Sequence, residues 1–149
     1  MIFSDAHEGT LEVVKYLDDM LSEFFEYMLV NGHLENSILL VMSDHGISLP
    51  GPAFFTKAKD WYSEVYLPSL FFLIDRKNEE FDIIHQTLQA NEMKWITSFD
   101  INSSLRNFAN RTNTNIKYGQ SIVKEVIDED YRSCGFYRIT NGCICGFKP

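Results

Sequence analysis

The sequence lacks the features that mark a nucleic-acid or membrane protein. No run of lysine and arginine occurs, and 13 basic residues stand against 21 acidic ones in 149, a formal charge of -8. That balance argues against nonspecific attraction to nucleic acid or to an anionic bilayer surface, both of which draw positive charge. No glycine-rich phosphate loop is present. No apolar stretch reaches the roughly 20 residues that a membrane span requires, and the amino terminus reads as neither a signal peptide nor an anchor. Cysteine is scarce. Cys134, Cys143 and Cys145 lie near the carboxyl end without the Cys-x-x-Cys spacing of a zinc knuckle. Two readings of them stay open: reduced thiols of a cytosolic protein, or an oxidised tail with one bridge and one cysteine left over.

What is present describes a folded chain. Hydrophobic residues make up 45% and aromatic residues 14%, which argues against disorder. The length suits one domain, 1–149, with a sizeable core. No internal repeat or low-complexity linker interrupts it. Asn102-Ser103-Ser104 and Asn110-Arg111-Thr112 match the N-glycosylation sequon, a short and frequent pattern that fixes no compartment.

The stretch Val41-Met42-Ser43-Asp44-His45-Gly46 organises the chain. It closes the apolar run Ile38-Leu39-Leu40-Val41-Met42, which reads as a buried parallel strand because it is short, continuous and bounded by turn residues. In open α/β sheets ligands gather beyond the carboxyl ends of strands. A carboxylate beside an imidazole is a natural pair of ligands for Zn²⁺ or Mn²⁺. Consecutive strand residues face opposite ways, so Asp44 and His45 reach one ion only where the strand breaks. Gly46 is expected to supply that break through its tolerance of positive φ.

The neighbouring segments read in order. Ile2-Phe3 looks like the tail of a strand, with His7 in the loop after it. Thr10 is a candidate N-cap for a helix over 10–30, with Leu11, Val14, Leu17, Leu21, Phe24, Phe25 and Met28 on one broad face. Asn31-Gly32 should stop it. Leu67 to Ile74 is a second strand, neighbouring the first and opened by Pro68. A helix is expected over 79–90, with Phe81, Ile84 and Leu88 inward and His85 beside that face as a packing or surface residue. His33, in the polar turn, is read the same way. Thr97 and Asp100 have capping-box spacing before a helix carrying Leu105, Phe108 and Ala109. The run Ile122 to Ile127 is read as an edge strand within an irregular cysteine-bearing tail over 116–149.

The order strand, His loop, long helix, strand, Ser-Asp-His-Gly resembles the alkaline-phosphatase-like superfamily, in particular its sulfatase-like group. The Leu-Pro-Ser-Leu-Phe-Phe run, the Ser98-Phe99-Asp100-Ile101 turn and the cysteine-bearing ending add to the likeness, the last resembling an uncharacterised animal branch. The resemblance covers nearly the whole chain, and Asp-His-Gly is its sharp motif. It implies a partial fold of that type, α/β with a largely parallel sheet flanked by helices. It implies Asp44 and His45 as ligands of a divalent metal (Zn, Mn or Ca) and His7 as a contact to a sulfate or phosphate group or to a second ion. Lys57 or Lys59 would fall in the region from which the family brings a lysine to the anion, although solvated side chains are the default for both.

In that family a Thr, Ser or modified Cys nucleophile and a further metal-binding acid precede the block present here. No catalytic residue is therefore assigned, since Ser4, Thr10 and Ser43 lack the nucleophile's context. The expectation is the carboxyl-terminal part of a hydrolase or transferase acting on sulfate or phosphate esters, inactive alone. The competing expectation is a non-catalytic binding module. The family's secretory or extracellular bias implies a bridge from Cys134 to Cys143 or Cys145, in a chain without a signal of its own.

Overall fold

The computed structural model of the chain describes residues 12–46, 65–109, 118–130, 132–140 and 143. It divides into two compact units, Met1–Asn78 and Glu79–Pro149. Among the described residues no helix is long and apolar enough to cross a membrane.

In the first unit a short 3-10 turn, Val13–Lys15, leads into helix α1, Tyr16–Val30. The predicted cap, Thr10, lies outside the described residues. Lys15 at the actual N-cap makes no side-chain cap bond, and its ammonium instead reaches Glu12 at 2.8 Å. Leu17, Leu21, Phe25 and Met28 recur every three or four residues and are half-buried, whereas Phe24, expected on the same face, is exposed, and no α1 residue is fully buried. Asp18 and Asp19 in the first turn meet the positive end of the helix dipole. The stop falls where the sequence predicts. Gly32 takes φ 72°, its N–H donates to Leu29 O at 3.1 Å, and His33 N–H donates to Met28 O at 2.9 Å. Those two bonds satisfy carbonyls that the last turn would otherwise leave without partners, in the Schellman pattern.

Strand β1, Leu39–Met42, pairs with β2, Leu70–Leu73. The two apolar runs are neighbours, as expected, but they pair antiparallel, with Leu39 opposite Leu73 and Met42 opposite Leu70. Nor are they fully buried: Met42 and Phe71 stay exposed. Continuous apolarity overstates the burial of these strands, and it carries no information on strand direction. Antiparallel strands also occur at the edge of otherwise parallel sheets, so this pair alone assigns no sheet class. Leu34 and Val65 are the buried apolar residues of this unit among those described.

The second unit holds α2, Phe81–Asn91, and α3, Ser98–Phe108. Ile84 is buried, with Phe81 and Leu88 half-buried beside it, as the periodicity predicts. The exposed His85 ring stacks on Phe81, centroids 5.1 Å apart. The last residue of α2, Asn91, is buried and bonds to the tail at both ends of its amide. It donates to Ile122 O and Glu125 O, both at 3.0 Å, and accepts from Ile127 N–H at 2.8 Å. The segment read as an edge strand is therefore a turn. Besides Asn91, Ser121 O accepts from Lys124 and Glu125 N–H and Ser104 Oγ accepts from Ile122 N–H, while Ile122, Val123 and Ile127 are buried.

Thr97 and Asp100 form the predicted capping box, with Thr97 N–H donating to Asp100 Oδ2 at 2.8 Å. Asp100 also does something that local spacing does not show. It lies fully buried and takes a two-pronged bond from Arg132, Nη1 to Oδ2 and Nη2 to Oδ1, each at 2.8 Å. The other guanidinium donors go to Trp95 O, Gln120 Oε1 and Asp128 O. All five donor positions of the guanidinium are thus used. Gln120 N–H adds a further bond to Asp100 Oδ1 at 2.8 Å. Tyr137 lies over the guanidinium at 5.8 Å and packs on Trp95, Phe99, Tyr118 and Phe136. A disulfide from Cys134 to Cys143, Cα atoms 5.9 Å apart, closes the loop that carries these two tail rings.

Two outcomes follow from this packing. Burial pushes the Asp100 carboxyl up, but the bonds from Arg132, Gln120 and Thr97 outweigh it and hold the group below the ordinary aspartate value. A depressed folded value means that the carboxylate's stabilisation is complete above the unfolded pKa, about 4. It is lost as pH falls from there through the lower folded value. Urea midpoints of the second unit should therefore drop on acidification across that window, and drop less in Asp100→Asn; equal slopes would contradict the assignment. Separately, a Cβ on Gly119 would meet the Phe99 carbonyl, 2.7 Å from its carbon. Gly119→Ala should destabilise the unit by about 1–3 kcal/mol, and an unchanged urea midpoint would count against this close approach.

Candidate functional site

The pairing of β1 with β2 continues past the strands themselves. Ser43 N–H donates to Ser69 O at 3.0 Å, and the Ser43 hydroxyl accepts from Ser69 N–H at 2.9 Å. Ser43 is thus occupied in strand-end structure. Three residues on, Gly46 N–H donates to Val65 O at 3.1 Å. Asp44 and His45 sit between these two attachments, in the stretch where the regular ladder lapses. The lapse does not draw on the left-handed freedom of Gly46. Among the described residues Gly32 is the glycine with positive φ, and Gly46 is fixed by its bond to Val65 instead.

Within this break the two side chains converge. Asp44 Oδ1 accepts His45 N–H at 2.9 Å, which orients the carboxylate and leaves Oδ2 facing the ring. His45 Nδ1 lies 2.6 Å from Gly46 O. A carbonyl only accepts, so Nδ1 carries the proton, and the neutral ring keeps its lone pair on Nε2. His45 Nε2 stands 3.6 Å from Asp44 Oδ2. Two ligands about 2.1 Å from a tetrahedral ion lie roughly 3.4 Å from one another. The spacing therefore suits a shared ion with little movement. A backbone carbonyl that fixes the tautomer from the far ring nitrogen is the usual support of a metal-binding histidine. Both side chains are open to solvent, Asp44 at 89% and His45 at 48% exposure, so water can complete a coordination sphere.

The pair is only part of such a sphere. Among the described residues no group of three or more His, Cys, Asp or Glu side chains is placed to hold an ion. His7, the third residue proposed from sequence, lies outside the described residues, as do Lys57, Lys59, Ser4 and Thr10. His33 packs near Tyr27, ring centroids 5.4 Å apart, and His85 on Phe81, so neither belongs to the pair. Asp100 and Arg132 form the second polar cluster. Sequence reasoning found only the capping role of Asp100, because its partner stands 32 residues further on. With all its donor positions used, that guanidinium is a structural element of the second unit.

The chain is thus a set of helices and a strand pair whose exposed carboxylate and imidazole meet at a strand end. Residues 3–144 match the family described as "Protein of unknown function (DUF229)". The chain belongs to that family. No curated protein and no solved structure matches it significantly.

The tautomer is directly testable. In the neutral ring of His45, ¹⁵N spectra should show a protonated Nδ1 and a bare Nε2. A proton on Nε2 would contradict the Gly46 bond and leave the nitrogen that faces Asp44 without a lone pair for an ion.

Proposed function

We propose that this chain is the carboxyl-terminal part of a metal-dependent, sulfatase- or phosphatase-like hydrolase or transferase acting on sulfate or phosphate esters. Its fold would be a portion of the α/β, largely parallel alkaline-phosphatase-like architecture, with the β1–β2 pair as an antiparallel margin. The observation that carries the reading is the convergence of Asp44 Oδ2 and His45 Nε2 at a strand end, with the imidazole tautomer fixed for ligation. The residues fit a divalent metal as half of its ligands, one anionic oxygen and one neutral nitrogen. When bound, such an ion polarises the ester oxygens and lowers the pKa of a nucleophile. Asp44 would hold it by charge, His45 by its lone pair, and His7 would face the substrate anion. The nucleophile and a further acid would come from the block that precedes this one in the resembled family.

The Cys134–Cys143 bridge supports a secretory or extracellular location, since such bonds persist in oxidising compartments. The two-ligand set also suits a second reading, a non-catalytic binding module that retains this part of the fold.

Calorimetric titration of the chain with Zn²⁺ and Mn²⁺ tests the site. Wild type should bind weakly, with Asp44→Ala and His45→Ala each lowering affinity at least about tenfold. Equal binding by all three proteins would defeat the assignment. Aryl sulfate and aryl phosphate should not be turned over by this chain alone. Rapid hydrolysis abolished by replacing Ser43 would place a nucleophile within it and overturn the reading of an incomplete site.

A further inference from the structure

We propose that Asn102 carries an N-linked oligosaccharide, attached before the second unit folds. The sequon Asn102-Ser103-Ser104 lies inside α3, and the helix divides it. Asn102 is exposed, whereas Ser103 and Ser104 are buried at 4% and 1%. The Ser104 hydroxyl is also engaged twice, donating to Asp100 O at 2.8 Å and accepting from Ile122 N–H at 3.0 Å. A transferase that recognises the sequon must reach its carboxamide and its hydroxyl together. Two residues of a helix are separated by roughly 200° around its axis, so the folded unit offers the first group and hides the second. The unfolded chain offers both. Once α3 has formed, a glycan on Asn102 projects into solvent and displaces nothing in the core, as a bulky hydrophilic group requires.

The compartment comes from the same unit. Cys134 and Cys143 are joined, and an oxidising lumen that makes such a bond is also where the sequon is read. The transfer needs a lipid-pyrophosphate-linked oligosaccharide as donor. The Asn102 carboxamide nitrogen attacks the anomeric carbon of that donor, forming a C–N bond. The C–O bond to pyrophosphate breaks, the lipid pyrophosphate leaves with the electron pair, and the amide proton passes to a base of the transferase.

The inference rests on the oxidising-compartment reading above, and one experiment separates the two. The full chain is directed into the secretory pathway of a eukaryotic host, and secreted protein is mapped by glycopeptide mass spectrometry without reduction. Asn102 should be occupied, and Asn102→Gln should lose one glycan while still being secreted, because an exposed substitution leaves the core intact. A bare Asn102 in bridged protein overturns the proposal and leaves the compartment reading standing. Free thiols at Cys134 and Cys143 overturn both. For the timing, bacterially made chain is offered to microsomal transferase either folded or reduced and unfolded. Modification of Asn102 should be confined to the unfolded chain, and equal modification of the folded protein would refute the order of events.

Discussion

The contact between Asp100 and Arg132 is the constraint on which the second unit depends. Their side chains are 0% and 1% exposed. Removing two charges from water costs several kcal/mol per ion, and attraction offsets that only when the remaining donors and acceptors are also satisfied. Here they are. Thr97 and Gln120 complete the carboxylate, while Trp95, Gln120 and Asp128 complete the guanidinium. The same bonds tie the start of α3 to the segment before it and to the irregular tail. In the described part of the tail, side chains supply many of the partners that a sheet would otherwise provide. Asn91 does so for 122–127, and Arg132 for the turns around 120 and 128. The Tyr137 ring then lies over the guanidinium, 5.8 Å from it.

Local periodicity carried a good part of this fold into the sequence. The three helices, the Asn31-Gly32 stop and the Thr97–Asp100 capping box all rest on contacts three to five residues apart, and each was legible. The strand pair was legible as neighbours and illegible in direction, because an apolar run looks alike read either way. The run 122–127 misled for a related reason. Ile122, Val123 and Ile127 are buried as strand residues would be, although Val126 is exposed, and the bonds from Asn91 come from 31 to 36 residues away, which no periodicity encodes. Asp100 shows the boundary most clearly. Its bond to Thr97 could be read from spacing, but its bond to Arg132 could not. The inner face of α3 is polar (Asp100, Ser103 and Ser104), while Leu105 is left half exposed.

At the candidate site the sequence supplied the residue pair and the structure supplied the reason that adjacent side chains can converge. Alternation along a strand would point Asp44 and His45 apart. The ladder is held at Ser43 and again at Gly46, and the two residues between are released from it. Asp44 is then turned by the amide of His45, and His45 by the carbonyl of Gly46. Orientation comes from the backbone on both sides, at no cost in core packing. Two such ligands alone would bind a metal weakly, and among the described residues no third possible ligand joins them. The family's description names no function, so the ester chemistry rests on the sequence resemblance and the geometry bears on the Asp44–His45 pair alone.

The most direct test locates the metal itself. Crystals of the protein grown with Zn²⁺ should show an anomalous difference peak bonded to Asp44 Oδ2 and His45 Nε2, each at about 2.0–2.2 Å, with Nδ1 still bonded to Gly46 O. A peak on His45 Nδ1, or zinc bound only at sites that exclude both residues, would contradict the account.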